Sequence, residues 1–184
     1  MTKAIRARDE WLALRCQSKV QGAFEDLISE MERPLFYYAT KLTNSQDEAL
    51  DVLQEVWLTA LPGIRKLKDP SSVRSWLYTI AHRAAIDRFR RDRARGHAEE
   101  IHTELGESND VTFTPDDAAA IHQALDRIEA KHRDILVLFF IEDFSLAEIS
   151  QILNCPEGTV KSRLHYAKKA LKAAITGVTN ANPQ

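Results

Sequence analysis

The sequence predicts an all-α protein: two small helical domains joined by a flexible acidic linker, the second containing a helix-turn-helix. Three observations support this. Apolar residues recur at helical spacing through most of the 184 residues, and no run alternates as a half-buried strand would. A polar stretch at 96–117 interrupts that spacing with seven acids and no lysine or arginine. Near the end, two short helical patterns meet at a proline turn. The expected division is 1–95, a linker at 96–117, a second domain at 118–178 and a tail at 179–184.

Taken in order, residues 1–22 are charged, and Trp11, Leu12 and Leu14 predict a short helix packed on the next one. Phe24, Leu27, Ile28, Met31, Leu35, Tyr38 and Leu42 then fall at helical spacing, with Pro34 expected to kink or divide the run. Ser45 and Glu48 have the spacing of a capping box. They open a helix with Ala49, Val52, Leu53, Val56 and Ala60 inward, disturbed or ended by Pro62-Gly63. Residues 67–72 read as a loop. The next helix turns Val73, Trp76, Leu77, Ile80 and Ala84 inward and ends in an arginine-rich tail, with seven arginines against two aspartates over 74–95.

After the linker, Ile121, Leu125, Ile128, Ile135, Leu136 and Phe139 restore the helical phase. The apolar run ILVLFFI at 135–141 could be a buried strand in isolation, and its flanks make it a core helix. Ser145 with Glu148 predicts a second capping box, with Phe144 and Ile149 as its hydrophobic staple. Asn154-Cys155-Pro156 breaks that helix, because proline disfavours a helical residue before it and suits a helix start. The final helix runs from about Glu157, with Val160, Leu164, Ala167 and Leu171 on one stripe and a frayed end after Ile175. Its other side carries five cations and no acid between 160 and 172. A solvated surface helix shows such a run too. Placed on the second helix of a helix-turn-helix, the element that enters the major groove, the run points to DNA.

The net charge of −2 conceals this segregation into basic and acidic blocks. The longest apolar run is far too short to span a bilayer, so no membrane insertion is expected. The basic first residues lack the apolar core of a secretory signal. Cys16 and Cys155 are too far apart for a metal or disulfide pattern, which suits a reducing cytoplasm. Cys155 reads as a small packing residue of the turn. No cofactor and no metal are expected. Without a glycine-rich phosphate loop, a zinc-protease motif or a cysteine–histidine constellation, an enzyme is not expected either.

Three stretches carry a family resemblance: DEALDVLQEVWLTAL at 47–61, SWLYTIAHRAAIDRFRR at 75–91, and GTVKSRLHYAKKAL at 158–171 following Ser145. With the AFEDL segment near residue 23, the chain resembles an extracytoplasmic-function sigma factor of the sigma-70 superfamily over about residues 20–175. The resemblance implies a promoter-specificity subunit of RNA polymerase that initiates transcription, commonly in a stress response. It also implies partners: the largest-subunit clamp helices and the flap of core polymerase, promoter DNA, and an anti-sigma factor. Such a factor could hold the chain at the membrane of a bacterial cytoplasm.

Residue by residue, Asp51, Gln54, Glu55 and Leu58 correspond to the core-polymerase contact. Acids beside an exposed leucine and Trp57 suit a partner helix carrying arginines, although a solvated amphipathic helix has the same pattern. Lys68, Asp69, Ser72, Arg74, Tyr78, His82, Arg83, Arg90 and Arg91 correspond to the −10 surface. There cations attract phosphate and aromatics replace lost base stacking, while Trp76 reads as core. Thr159, Lys161, Ser162, Arg163, His165, Tyr166 and Lys169 correspond to the −35 surface. Two departures bear on specificity: His82-Arg83 stands where many members have Arg-Asn, and Tyr166 where arginine is frequent. The linker spans about 25–30 Å as a relaxed coil and roughly 75 Å extended, so bridging the two promoter elements requires it drawn out. A dimeric operator-binding regulator is the competing reading. It leaves the arginine–aromatic helix and the polymerase-docking motif unexplained.

Overall fold

A computed structural model describes residues 3–94 and 124–180, whose regular elements are all helices, with no strand among them. The expected linker at 96–117, and Ile121 with it, lie outside the described residues. In the N-terminal lobe α1 (Lys3–Gln17), α2 (Ala23–Thr43), α3 (Gln46–Gly63) and α4 (Val73–Ala94) pack around one another. The C-terminal lobe holds α5 (Ala130–Leu136), a π-helical turn (Val137–Ile141), α6 (Leu146–Ile152) and α7 (Glu157–Asn180).

Helix α2 buries Leu27, Met31, Leu35, Tyr38 and Leu42 as its spacing predicts. It does not divide at Pro34, which sits within the unbroken helix. A mid-helix proline costs about 3 kcal/mol in isolation. The buried stripe continues on both sides of it, so packing outweighs the lost hydrogen bond. Asn44, at φ 58°, ends α2 with its N–H on Thr40 O at 2.8 Å. Ser45 then caps α3 by accepting from the Glu48 N–H at 3.4 Å, one half of the expected box. Gly63 ends α3 where a Cβ would come within 2.9 Å of the Trp76 ring, so glycine permits α3 and α4 to close together. Gln17 fixes the following segment by donating to the carbonyls of Ile64 and Leu67 at 3.1 and 2.8 Å.

In the C-terminal lobe the ILVLFFI run departs from a plain core helix. After Leu136 the chain widens into the π turn, with Glu142 N–H on Val137 O and Phe144 N–H on Leu138 O, both at 3.0 Å. The change of pitch buries Val137 and Leu138 and turns Phe140 and Ile141 outward. The backbone of α7 is helical to Asn180, past the expected fray at Ile175.

The two lobes are in contact. Helix α5 packs on α2 and α6 packs on α4, so that buried residues of both lobes form one contiguous core.

Candidate nucleic-acid interface

The helix-turn-helix is built as its sequence directs. Ser145 accepts from Glu148 N–H at 3.3 Å, and Glu148 Oε2 accepts from Ser145 N–H at 2.8 Å, completing the capping box of α6. Phe144 and Ile149 are both buried, as a staple requires. Asn154, at φ 49°, turns the chain, and Ser150 Oγ donates to Cys155 O at 2.7 Å across the turn. Helix α7 then buries Val160, Leu164, Ala167 and Leu171.

Lys161, Ser162, Arg163, His165 and Tyr166 are exposed on the opposite side of α7, and Thr159 is half-buried at its start. The Ser162 hydroxyl donates back to Thr159 O at 3.0 Å. Lys169 does not join them. It is buried, with its Nζ 5.8 Å over the Tyr166 ring. It lies in a run of buried residues, with Ala170 and Leu171 following it.

On α3 the expected polymerase contact is solvent-facing. Asp51 and Gln54 are exposed, Glu55 is half-buried and Leu58 is 69 % exposed. Asp51 also pairs with Arg88 of α4. Trp57 is half-buried instead, its ring edge-on to Phe24 at 6.2 Å. Two residues missed by sequence reasoning join this face: Leu50 and Leu61, each 56 % exposed. With Gln54 and Leu58 they fall at i, i+4, i+8 and i+11, one stripe of the helix. The signal that could have found them is three leucines off the phase of Val52, Leu53 and Val56.

The expected −10 residues separate into two groups. Lys68, Asp69, Arg83, Arg90 and Arg91 are exposed. Asp69 is occupied in part, accepting from Ser71 N–H at 3.0 Å and from the Ser71 hydroxyl at 2.7 Å, and Ser72 Oγ donates to its carbonyl at 2.7 Å. Arg90 lies 3.7 Å from Asp87, and Arg91 Nε donates to Asp87 O.

Arg74, Tyr78 and His82 form the other group, and the structure does not leave them open. Arg74 is buried, with Nε 2.7 Å from Asp9 Oδ2 and Nη1 3.5 Å from Glu142. Tyr78 is fully buried between the rings of Tyr38 and Phe144, each at 5.0 Å. His82 Nδ1 lies 3.3 Å from Asp134 and 3.4 Å from the Tyr38 hydroxyl. Trp76, read as core, is only half-buried. The expectation that Tyr78 faces outward fails because its covering residues come in part from the other lobe.

Burial dominates the electrostatics of this seam. It raises the carboxyls of Asp9, Asp134 and Glu142 above their ordinary values, although Arg74, His82 and the Tyr38 and Tyr78 hydroxyls pull the other way. Burial, then the neighbouring Glu142 carboxylate, holds the Tyr78 phenol protonated, yet its hydroxyl makes no well-formed hydrogen bond. Arg133 crosses the seam to donate to Lys41 O at 2.9 Å and to Asn44 Oδ1 at 3.2 Å. Among the described residues no group of acids, histidines and cysteines could hold a metal. No helix among them is long and apolar enough to cross a membrane.

Comparison with known proteins agrees with this architecture. The family pattern for sigma-70 region 2 matches residues 21–95, and that for sigma-70 region 4 matches residues 118–171. The RNA polymerase sigma factor SigV of Bacillus subtilis is 31% identical over 150 residues, 81% of this chain and 89% of its own. The ECF RNA polymerase sigma factor SigL of Mycobacterium tuberculosis is 35% identical over 159 residues, 83% of this chain and 90% of its own. The sigma factor RpoE of Bartonella quintana, solved in complex with the anti-sigma factor NepR, has the same fold at a TM-score of 0.66 and 22% identity, covering 84% of this chain and 98% of that one. CnrH, solved with the cytosolic domain of CnrY, superposes with a TM-score of 0.62 at 20% identity, covering 95% of this chain and 99% of that one. The chain belongs to the extracytoplasmic-function sigma factors of the sigma-70 family, non-enzymatic subunits that direct RNA polymerase to promoters and initiate transcription.

Proposed function

We propose a division of the sigma-factor task among three faces of this chain. The outer stripe of α3, with Asp51, Gln54, Glu55 and Leu58 extended by Leu50 and Leu61, docks on the clamp helices of core polymerase. The loop at 67–72 and the helix α4, through Lys68, Asp69, Ser72, Arg74, Tyr78, His82, Arg83, Arg90 and Arg91, take the −10 element and its melted strand. The start of α7, through Thr159, Lys161, Ser162, Arg163, His165 and Tyr166, reads the −35 duplex, with the second lobe positioned toward the polymerase flap. Residues 1–95 and 118–178 act as the two domains, and 96–117 as the acidic connection between them.

One observation carries this reading: Lys161, Arg163 and His165 are exposed on α7 directly behind a capped α6. That is the placement by which a recognition helix enters a major groove. Stacking is worth roughly 1–3 kcal/mol per base, comparable with the few kcal/mol needed to unstack a nucleotide. Aromatic and cationic side chains can therefore hold an opened strand without ATP. RpoE and CnrH were each solved with a protein partner, NepR and the cytosolic domain of CnrY. By the same chemistry this chain takes an anti-sigma factor in the cytoplasm, and a membrane-anchored one would hold it there.

Run-off transcription with purified core polymerase on a promoter library tests the assignment. Promoter-specific transcripts are expected, and Lys161→Ala with Arg163→Ala should suppress those that depend on a −35 element. Equal suppression on templates lacking that element would overturn the assignment of α7.

A further inference from the structure

Helix α1 lies outside the span that the sigma-70 region 2 pattern matches, which begins at residue 21. It packs along the segment joining α3 to α4, against the tight helical turns Ile64–Lys66 and Pro70–Ser72. Its last residue, Gln17, is half-buried and directs Nε2 to two carbonyls at once, Ile64 O at 3.1 Å and Leu67 O at 2.8 Å. A side-chain amide nitrogen has two N–H donors, so both are committed to this backbone. Two turns earlier on the same helix, about 12 Å along its axis, buried Asp9 accepts from Arg74 Nε at 2.7 Å. One helix therefore grips the chain on either side of the 67–72 loop.

Between those grips the loop is bonded to itself. Asp69 Oδ1 accepts from the N–H and the hydroxyl of Ser71, the Asp69 carbonyl accepts from the Ser72 hydroxyl, and Ser75 Oγ donates to Ser72 O at 3.0 Å. Residues 69–72 thus form a preshaped body, and what remains to be set is the direction in which it leaves α3. Burial of Ile64 fixes a position there but not the orientation of the peptide planes. A hydrogen bond to a carbonyl does fix it, because the donor prefers to approach near the plane of the C=O. The Leu67 carbonyl shares a rigid plane with the N and Cα of Lys68. Holding that oxygen sets the course of Lys68 and Asp69, two of the side chains assigned to the −10 element.

We propose that Gln17 is a positioning residue for −10 discrimination: it holds the root of the 67–72 loop so that Lys68, Asp69 and Ser72 meet the element in one register. The proposal rests on the assignment of that loop to the −10 element. A loop freed of Gln17 still carries its cation and its internal bonds. It keeps its attraction for phosphate and loses selectivity among bases, because selectivity depends on the placement of directional groups and attraction does not.

The test uses the full chain assembled with core polymerase, and run-off transcription from two template pools. One pool is randomised over the −10 element and the other over the −35 element, with transcripts counted by sequencing. Gln17→Met keeps the length of the side chain and removes both donors. A mismatched base pair is ordinarily rejected by about tenfold or more, and the variant should lower that ratio at −10 by about threefold or more. The −35 ratios and the melting temperature should stay near the parent values, since Leu67 is half-buried and water can replace the lost donor. Asp69→Ala, made in the loop itself, should also lower the −10 ratios. Gln17→Met added to it should do little more, because two residues acting through one loop are not additive.

If Gln17→Met leaves the −10 ratios unchanged while Asp69→Ala shifts them, the loop reads the element without help from α1 and the positioning role fails. Fully additive losses in the double variant would place Gln17 on a separate contact and overturn it as well. Equal losses at −10 and −35, or a melting temperature far below the parent's, would show a general structural role, with the same consequence. If neither variant moves the −10 ratios, the loop does not read the element, and the −10 assignment falls with the proposal.

Discussion

The hydroxyl of Tyr38 donates to Asp134 Oδ1 at 2.6 Å, joining side chains 96 positions apart and belonging to different lobes. Both are buried, and His82 approaches the second carboxylate oxygen. Removing the donor leaves a buried acceptor half satisfied, which costs about 1–3 kcal/mol. Tyr38→Phe should therefore destabilise the closed form by that amount in chemical denaturation and expand it in scattering. Asp134→Asn keeps an oxygen that can accept from Tyr38 and should cost less. A double-mutant cycle should give a coupling above about 0.5 kcal/mol, the level that separates contacting pairs from independent ones.

Acid should act on two carboxylates in opposite directions. Burial raises Asp134 above its ordinary value despite His82 and Tyr38. The folded form thus holds that proton more tightly, and the contribution to stability is full at low pH and lost as pH rises through the raised value. For Glu148 burial also pushes upward, but the Ser145 hydrogen bonds and Arg6 overcome it and lower the group below 4.5. Its contribution is present above 4.5 and lost as pH falls through the lowered value. Denaturation between about pH 7 and pH 4 should show the parent gaining on Asp134→Asn and losing its advantage over Glu148→Gln. The same trend for both variants would contradict these signs.

The α3 stripe separates binding from stability. Leu58 is 69 % exposed, and Leu50 and Leu61 are each 56 % exposed, so truncating them removes little buried area. Leu58→Ala and Leu61→Ala should leave stability within about 0.5 kcal/mol of the parent, as surface substitutions do. Affinity for core polymerase, read by fluorescence anisotropy, should fall by about 1 kcal/mol or more for a residue central to the contact. Asp51→Ala has a second consequence, because Asp51 also pairs with Arg88.

Legibility in the sequence depends on the range of the interactions. The α6 capping box is local, three residues from donor to acceptor, and Ser145 with Glu148 announced it. The buried stripe of α7 repeats within one helix, so Val160, Leu164, Ala167 and Leu171 were legible by spacing. Tyr78 was not. Its covering rings, Tyr38 and Phe144, stand 40 and 66 positions away and lie on either side of it. Helix α4 is buried on more than one side, with Ala81, Ala84 and Ala85 enclosed as well. Such a helix has no single apolar stripe to count. Pro34 misled for a related reason, since local propensity yields where packing holds both flanks. The π turn at Val137–Ile141 has no local signature in an unbroken apolar run.

The recognition helix offers a comparison among three cations in one element. Lys161 and Arg163 are exposed with no ion-pair partner described, whereas Lys169 is buried with its ammonium over Tyr166. A cation that neutralises a phosphate releases a counterion, so losing one such contact lowers the salt slope of duplex binding by about 0.9. With polymerase holoenzyme on a promoter duplex, Lys161→Ala and Arg163→Ala should each reduce the slope by about that amount if the lost contact is to phosphate. If Arg163 instead grips a base edge, the slope should hold and discrimination at one −35 position should fall by about 1–3 kcal/mol. Lys169→Ala removes packing of its buried stem rather than a phosphate contact. It should lower thermal stability while the salt slope stays at the parent value. A loss of slope at Lys169 equal to that at Lys161 would mean that the end of α7 opens when the helix meets DNA.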